Sequence, residues 1–294
     1  MKKTFTMFAA LLLCATMQAQ DVKTQTIDDG GSGAYKAVMA SDATLATHTI
    51  FKPADLTPFG KKEKLPVLVW GNGGCANDPN GHLNFLNEIA SHGFVVVAIG
   101  PMRGIEGNFG RSSESKQLLD AIEWITKQNA DKNSQYYGKI DTEKIAAAGM
   151  SCGGLQALDI SADPRLKTIM VCNSGLFDNG GQSQAMPGMP MPAKERLQDI
   201  KVPIMYMLGG PTDIAYNNGS DDYKRITKIP AFICNLPVGH GGTYMQPKGG
   251  EYGIVATAWL KWQLKGDKEA SQLFTGSPCG LSQREGWTCE SKNM

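Results

Sequence analysis

The sequence predicts an α/β fold in which one doubly wound, mostly parallel sheet carries helices on both faces. A series of apolar runs of strand length recurs along the chain, bounded by glycine or proline and without polar alternation. Strands covered on both faces read this way. Between several of these runs lie stretches whose apolar residues repeat at helical spacing. The two kinds of segment alternate with no internal repeat and no linker, which is the order of one open α/β sheet.

Residues 1–19 stand apart from that pattern. Lys2 and Lys3 precede an apolar stretch from Phe5 to about Ala15, and Ala19 supplies a cleavage point. This is the layout of a secretory signal peptide, too short to span a bilayer. The expectation is a periplasmic or secreted protein whose residues 20–294 form one domain. No later segment is long and apolar enough for a transmembrane helix. The whole chain carries a formal charge of +1, and removing Lys2 and Lys3 leaves it close to neutral. That balance gives no footprint for nucleic acid or an anionic membrane.

The segments follow in order. "YKAVMASD" (35–42) and "THTIFKPAD" (47–55) read as a pair of strands near a sheet edge. "LPVLVWGNGG" (65–74), "FVVVAIG" (94–100), "KIAAAGM" (144–150) and "LKTIMVCNSG" (166–175) are central strands, continued by "VPIMYMLGG" (202–210) and "AFICNLP" (231–237). Residues 80–93 set Leu83, Leu86, Ile89 and Ala90 on one helical stripe, and 115–128 do the same with Leu118, Leu119, Ile122 and Ile125. A third stripe, in 253–264, holds Ile254, Val255, Ala258, Trp259 and Trp262. Residues 178–195 are a proline- and methionine-rich insert, and 274–294 a polar tail with two cysteines.

The chemistry concentrates in "AAAGMSCGGLQAL" (146–158), where a strand feeds a helix through G-x-S-x-G. A serine on so sharp a turn has strained backbone angles, and the flanking Gly149 and Gly153 remove the side chains that would clash. Ser151 is the candidate nucleophile. Its hydroxyl needs a base, and in sheets bearing this motif the order is nucleophile, acid, histidine. Of the chain's four histidines only His240, in "NLPVGHGGTY", follows Ser151. The acid that orients and stabilises the imidazole is assigned to Asp213, just beyond the carboxyl end of a strand. Asp159 falls within a helix, Asp163 beside Pro164 suits a turn, and Asp221 and Asp222 lie farther from the strand end. For the oxyanion, one donor is the backbone N–H of Cys152; the other comes from "GNGGC" (71–75), at Gly74 or Cys75.

Together these segments resemble the α/β-hydrolase superfamily. Within it the chain is similar to the single-domain branch of dienelactone hydrolases, chlorophyllase-like esterases and cutinase-like polyester hydrolases. The resemblance covers nearly all of the chain after residue 19, through "LPVLVWGNGG", "EIASHGFVVVAIG", "IDTEKIAAAGMSCGG", "PIMYMLGGPTD" and "GHGG" in the family's order. It implies carboxylic-ester hydrolysis through an acyl-enzyme, with Ser151, Asp213 and His240 in the triad places. No metal or cofactor is implied, and the substrate would be a small-molecule or polymer-borne ester. A peptidase, an amidase or an acyltransferase could use the same triad, and a binding module could keep the scaffold without the chemistry.

Cys75 and Cys152 sit on the two oxyanion loops, so a disulfide between them is expected to hold the donors in register. Cys279–Cys289 would close a short loop in the tail, while Cys172 and Cys234, inside apolar strands, read as buried thiols. Met186, Met189 and Met191 leave the carboxyl side of the sheet and suit an adaptable apolar lid or a packed loop. Met150, beside Ser151, and Tyr216 and Tyr244, near Asp213 and His240 in sequence, are the candidate pocket residues, with packing the equal alternative for the two tyrosines.

Overall fold

A computed structural model describes residues 22–102, 112–178 and 189–294. The expected signal peptide and Met186 lie outside the described residues.

The strands, in chain order, are β1 (Thr24–Thr26), β2 (Ala37–Ala40), β3 (His48–Pro53), β4 (Leu65–Gly71), β5 (Val95–Ile99), β6 (Ile140–Met150), β7 (Leu166–Cys172), β8 (Ile204–Leu208), β9 (Ala231–Asn235) and β10 (Thr288–Lys292). The helices that position the site are α1 (Leu83–Ser91), α2 (Ser115–Ala130), α3 (Cys152–Asp159), α4 (Tyr216–Arg225), α5 (Gly250–Lys265) and the short α6 (Lys268–Ser271). The ten strands among the described residues join one sheet in the order β1-β2-β3-β5-β4-β6-β7-β8-β9-β10. From β5 to β9 the neighbours run parallel. Antiparallel strands close both edges.

The absence of polar alternation in the central runs has a direct cause: each strand is buried twice. Leu68, Trp70, Val96, Ala98 and Met170 face a core shared with Leu86 and Ile89 of α1 and Val255 and Trp259 of α5. Their neighbours Val67, Val69, Val95, Val97 and Ile169 face the opposite core, with Leu118, Ile122 and Ile125 of α2 and Leu155 and Leu158 of α3. This is the α/β-hydrolase arrangement, a mostly parallel sheet with helices on both faces.

Three elements depart from the sequence reading. β1 is a short strand whose residues are all exposed, so no apolar face marks it. α4 buries only Gly219, Asp222 and Tyr223, which leaves no apolar stripe to see. The polar tail supplies β10, which pairs with β9 from Thr288↔Asn235 to Lys292↔Ala231 and covers that edge. An edge strand with polar residues is well suited to end a sheet.

Two histidines, His48 and His82, are buried. His48 on β3 lies against Gln117 O through Nε2 at 3.0 Å and against Thr47 Oγ1 through Nδ1 at 2.9 Å. His82 packs edge-on to Trp70 and Tyr244, with ring centroids 5.1 and 5.0 Å away. Burial pushes both imidazoles down to about 4. Since these folded values lie below the ordinary histidine value of about 6.5, the unfolded chain takes up protons first as pH falls. Stability is therefore whole above about pH 6.5 and is lost as pH drops toward 4. Each histidine should cost about 2 kcal/mol of unfolding free energy between pH 7 and 5. Urea unfolding of the wild type and of His82→Gln at the two pH values measures this for one imidazole, and the same pH dependence in both proteins would mean that it is not held neutral.

Candidate active site

β6 ends at Met150 and α3 begins at Cys152, so the whole reversal falls on Ser151. Its φ of 54° and ψ of −116° are a conformation that non-glycine residues avoid. The surrounding backbone leaves no alternative. A Cβ on Gly149 would stand 2.2 Å from Gly153 C, and one on Gly153 would stand 2.0 Å from Gly71 O. The close approach is held by the Gly153 N–H, which donates to Asn72 O at 3.0 Å.

The loops after β8 and β9 bring two further side chains to this turn. Ser151 Oγ lies 3.0 Å from His240 Nε2, and His240 Nδ1 lies 2.6 Å from Asp213 Oδ1. A carboxylate only accepts, so Nδ1 carries the proton and Nε2 is left to accept from the serine hydroxyl. Asp213 is held from every side. Its Oδ1 also accepts from the Ala215 N–H at 2.9 Å. Its Oδ2 accepts from the Gly209 N–H at 2.9 Å and from Asn173 Nδ2 at 2.8 Å. Burial alone would raise this carboxyl, but the hydrogen bonds from His240, Ala215, Gly209 and Asn173 outweigh it and hold the group below its ordinary value. The carboxylate thus stays charged, ready to face an imidazolium.

Across from the turn, Gly74 and Cys75 are consecutive left-handed residues, with φ of 63° and 51°. A Cβ on Gly74 would meet nothing within 4 Å, so that position borders open space. Asn72 braces the loop, its Nδ2 donating to Ala76 O at 3.0 Å and Ile99 O at 2.7 Å. Cys75 and Cys152 form a disulfide with Cα atoms 5.1 Å apart. As the first residue of α3, Cys152 has no intrahelical acceptor for its N–H, and this N–H meets no loop or turn carbonyl among the described residues. Cys279 and Cys289 form the second disulfide, and Cys172 and Cys234 are free and buried.

A cleft of about 230 Å³ opens on Ser151 and His240, with Leu155, Ser174, Phe177, Met189 and Ile214 in its wall. Of the pocket residues expected from sequence, none is found there. Tyr216, at the start of α4, faces a separate surface hollow shared with Thr288 and Cys289. Tyr244 is 2% exposed and packs beneath the site between Phe85 and Tyr252. Met150 directs its sulfur at Gly73 instead of the cleft. Proximity in sequence to Ser151, Asp213 or His240 says nothing about side-chain direction on a loop, and here the apolar bulk of these residues goes to packing. Met189, within the proline- and methionine-rich insert, does line the cleft. Asn173, Ser174 and Phe177 escaped the sequence reading. The visible signal was "VCNSG" at the carboxyl end of β7, where such sheets gather ligands.

The acids set aside are engaged elsewhere. Asp163 pairs with Arg165, Asp159 with Arg196, and Asp222 with Lys194.

The PETase family profile, described as PET hydrolase-like, matches residues 80–285, a span that contains Ser151, Asp213 and His240. The chain belongs to the PET hydrolase-like family. Cutinase est1 of Thermobifida alba is 25% identical over 65% of this chain and 58% of its own length. Cutinase 2 of Thermobifida cellulosilytica is 23% identical over 65% of this chain and 66% of its own. Hydrolase ffsE of Aspergillus flavipes is 29% identical over 40% of this chain and 27% of its own. The chain therefore spans less than two thirds of the length of these relatives. The profile match begins after Gly74 and Cys75, so the loop tied to Cys152 lies outside it.

The Cys75–Cys152 bond closes a loop of 77 residues in sequence. Loop-closure entropy gives such a crosslink a stabilisation of about 4.5 kcal/mol. The Cys75→Ala/Cys152→Ala double variant should lose about that much in denaturant unfolding. A loss under about 1 kcal/mol would mean that the two loops hold each other without it.

Proposed function

We propose that this chain is an exported serine hydrolase that cleaves carboxylic esters, with Ser151 as nucleophile, His240 as general base and Asp213 as its orienting acid. The observation that carries the reading is the unbroken chain of contacts, Ser151 Oγ to His240 Nε2 at 3.0 Å and His240 Nδ1 to Asp213 Oδ1 at 2.6 Å. A strained turn presents the nucleophile, and a depressed carboxyl backs the imidazole.

In this reading Ser151 Oγ attacks the ester carbonyl while His240 Nε2 takes its proton. The carbonyl oxygen, now negative, is held by the N–H of Cys152 and by the Cys75 loop, which the disulfide keeps alongside it. The tetrahedral intermediate collapses as the imidazolium gives its proton to the leaving alcohol. Water, deprotonated by the same imidazole, then attacks the acyl-enzyme and releases the acid. No cofactor or metal enters the scheme.

Substrate class follows from the family and the cleft. Relatives named cutinases and a family described as PET hydrolase-like support a polyester or other polymer-borne ester. The cleft is small and mainly apolar, and Ile214 at its rim is 80% exposed. That suits an acyl group of modest size, presented from outside. Export rests on Lys2, Lys3 and the apolar stretch after them. No helix among the described residues is long and apolar enough to cross a membrane.

The test is hydrolysis of p-nitrophenyl acetate, butyrate and octanoate beside Ser151→Ala. The wild type should turn over the two shorter esters, slow on octanoate, and lose at least about 1000-fold in kcat with the substitution. Faster cleavage of an anilide than of its matching ester would move the chain to the amidases. A folded but inactive wild type would remove the esterase reading.

A further inference from the structure

Asn173 is fully buried at the end of β7, one residue past Cys172, with φ of 44°. Its amide has two N–H donors and one carbonyl oxygen, and each is spoken for. Nδ2 donates to Asp213 Oδ2 at 2.8 Å and to Gly239 O at 3.3 Å, with Tyr252 Oη at 3.4 Å. Oδ1 accepts from the Tyr244 hydroxyl at 2.5 Å. The amide has one workable orientation. A carboxylate and a backbone carbonyl only accept, so nitrogen must face them and oxygen must face the phenol.

These bonds close a ring. Asn173 holds Asp213 Oδ2, Gly209 N–H holds the same oxygen, and the Gly239 N–H donates to Gly209 O at 2.9 Å. Gly239 returns to Asn173 through its own carbonyl. Gly239 immediately precedes His240, so one side chain grips both the acid and the backbone that carries the base. The loops are also back to back, since a Cβ on Gly209 would stand 2.0 Å from Gly239 O.

Resting on the triad reading above, we propose that Asn173 is the positioning residue of this site, a neutral buried amide, oriented by Tyr244, that fixes Asp213 and the His240 loop in one frame. Neutrality matters here. Burial pushes the Tyr244 and Tyr252 phenols that touch the amide further up, so both are uncharged and Asp213 is the charge that the amide meets. A carboxylate at 173 would set two like charges in contact, and both could not ionise without cost. The left-handed backbone matters too, because asparagine tolerates it and most residues do not.

The experiment compares kcat and KM across pH for p-nitrophenyl butyrate in the full enzyme and in Asn173→Asp, Asn173→Gly, Tyr244→Phe and Ser151→Ala. Asn173→Gly keeps the backbone conformation and removes the amide; kcat should fall roughly 10- to 100-fold with KM within about threefold. Asn173→Asp keeps the shape and adds charge beside Asp213; the acid limb of kcat/KM should move up by about one pH unit. The shift reports the charge felt at Asp213, and the positioning role is read from Asn173→Gly, where kcat falls with KM nearly unchanged, a split that a merely structural amide would not give. Tyr244→Phe should lower kcat by about threefold or more, and it decides the matter if the position 173 variants do not fold. Folded variants with kcat within about twofold of wild type and an unmoved acid limb, beside an inactive Ser151→Ala, overturn the role of Asn173 alone. An active Ser151→Ala overturns the triad reading, and this inference with it.

Discussion

The site depends on one backbone constraint, the turn at Ser151. A reversal from strand to helix across a single residue forces φ positive, a cost of order 1–3 kcal/mol that the chain meets with local packing. Gly71, Gly149 and Gly153 have no side chains, and the space a Cβ would fill is occupied by neighbouring backbone. That contact lets α3 press on β4 and β6, and it aims the serine hydroxyl out of the sheet. Side chains at those glycines would drive the strands apart before they touched the chemistry.

Everything else at the carboxyl edge refers to that turn. The loop after β4 is bonded to it covalently through Cys75–Cys152 and by hydrogen bond through Asn72 O. The loops after β7, β8 and β9 are bonded to one another through Asn173, Asp213, Gly209 and Gly239. Ser151 joins the two halves through His240. Rigid strands deliver the residues, but hydrogen bonds between loops set the tenths of an ångström on which proton transfer depends.

Electrostatics divides the buried polar groups by role. Asp213 is buried yet kept charged by four hydrogen bonds, while in His48 burial outweighs the hydrogen bond to Gln117 O, and in His82 it outweighs the attraction of Asp78, so both stay neutral. The same desolvation acts on all three, and local donors decide which side of ionisation each falls on. Asp222 shows the intermediate case: burial holds it up at about 6 although Lys194 is in contact.

What the sequence determined by itself was whatever depends on local pattern. Long apolar runs mark β4 to β9 because each is buried on both faces, and G-x-S-x-G marks Ser151 because only glycine permits the crossing it needs. Chain order singled out His240, and the strand end singled out Asp213, since topology places such loops on one edge. Tertiary structure decided what depends on direction and partner. β10 is polar and becomes a strand only because β9 has a free edge. α4 has no stripe because it rests on the core through Gly219, Asp222 and Tyr223. Tyr216 and Tyr244 sit near Asp213 and His240 in sequence but turn away from the cleft, while Asn173, forty residues before Asp213, reaches that carboxylate. Sequence distance carries no information about which way a loop side chain points, and hydrogen-bond partners exist only once the loops have met.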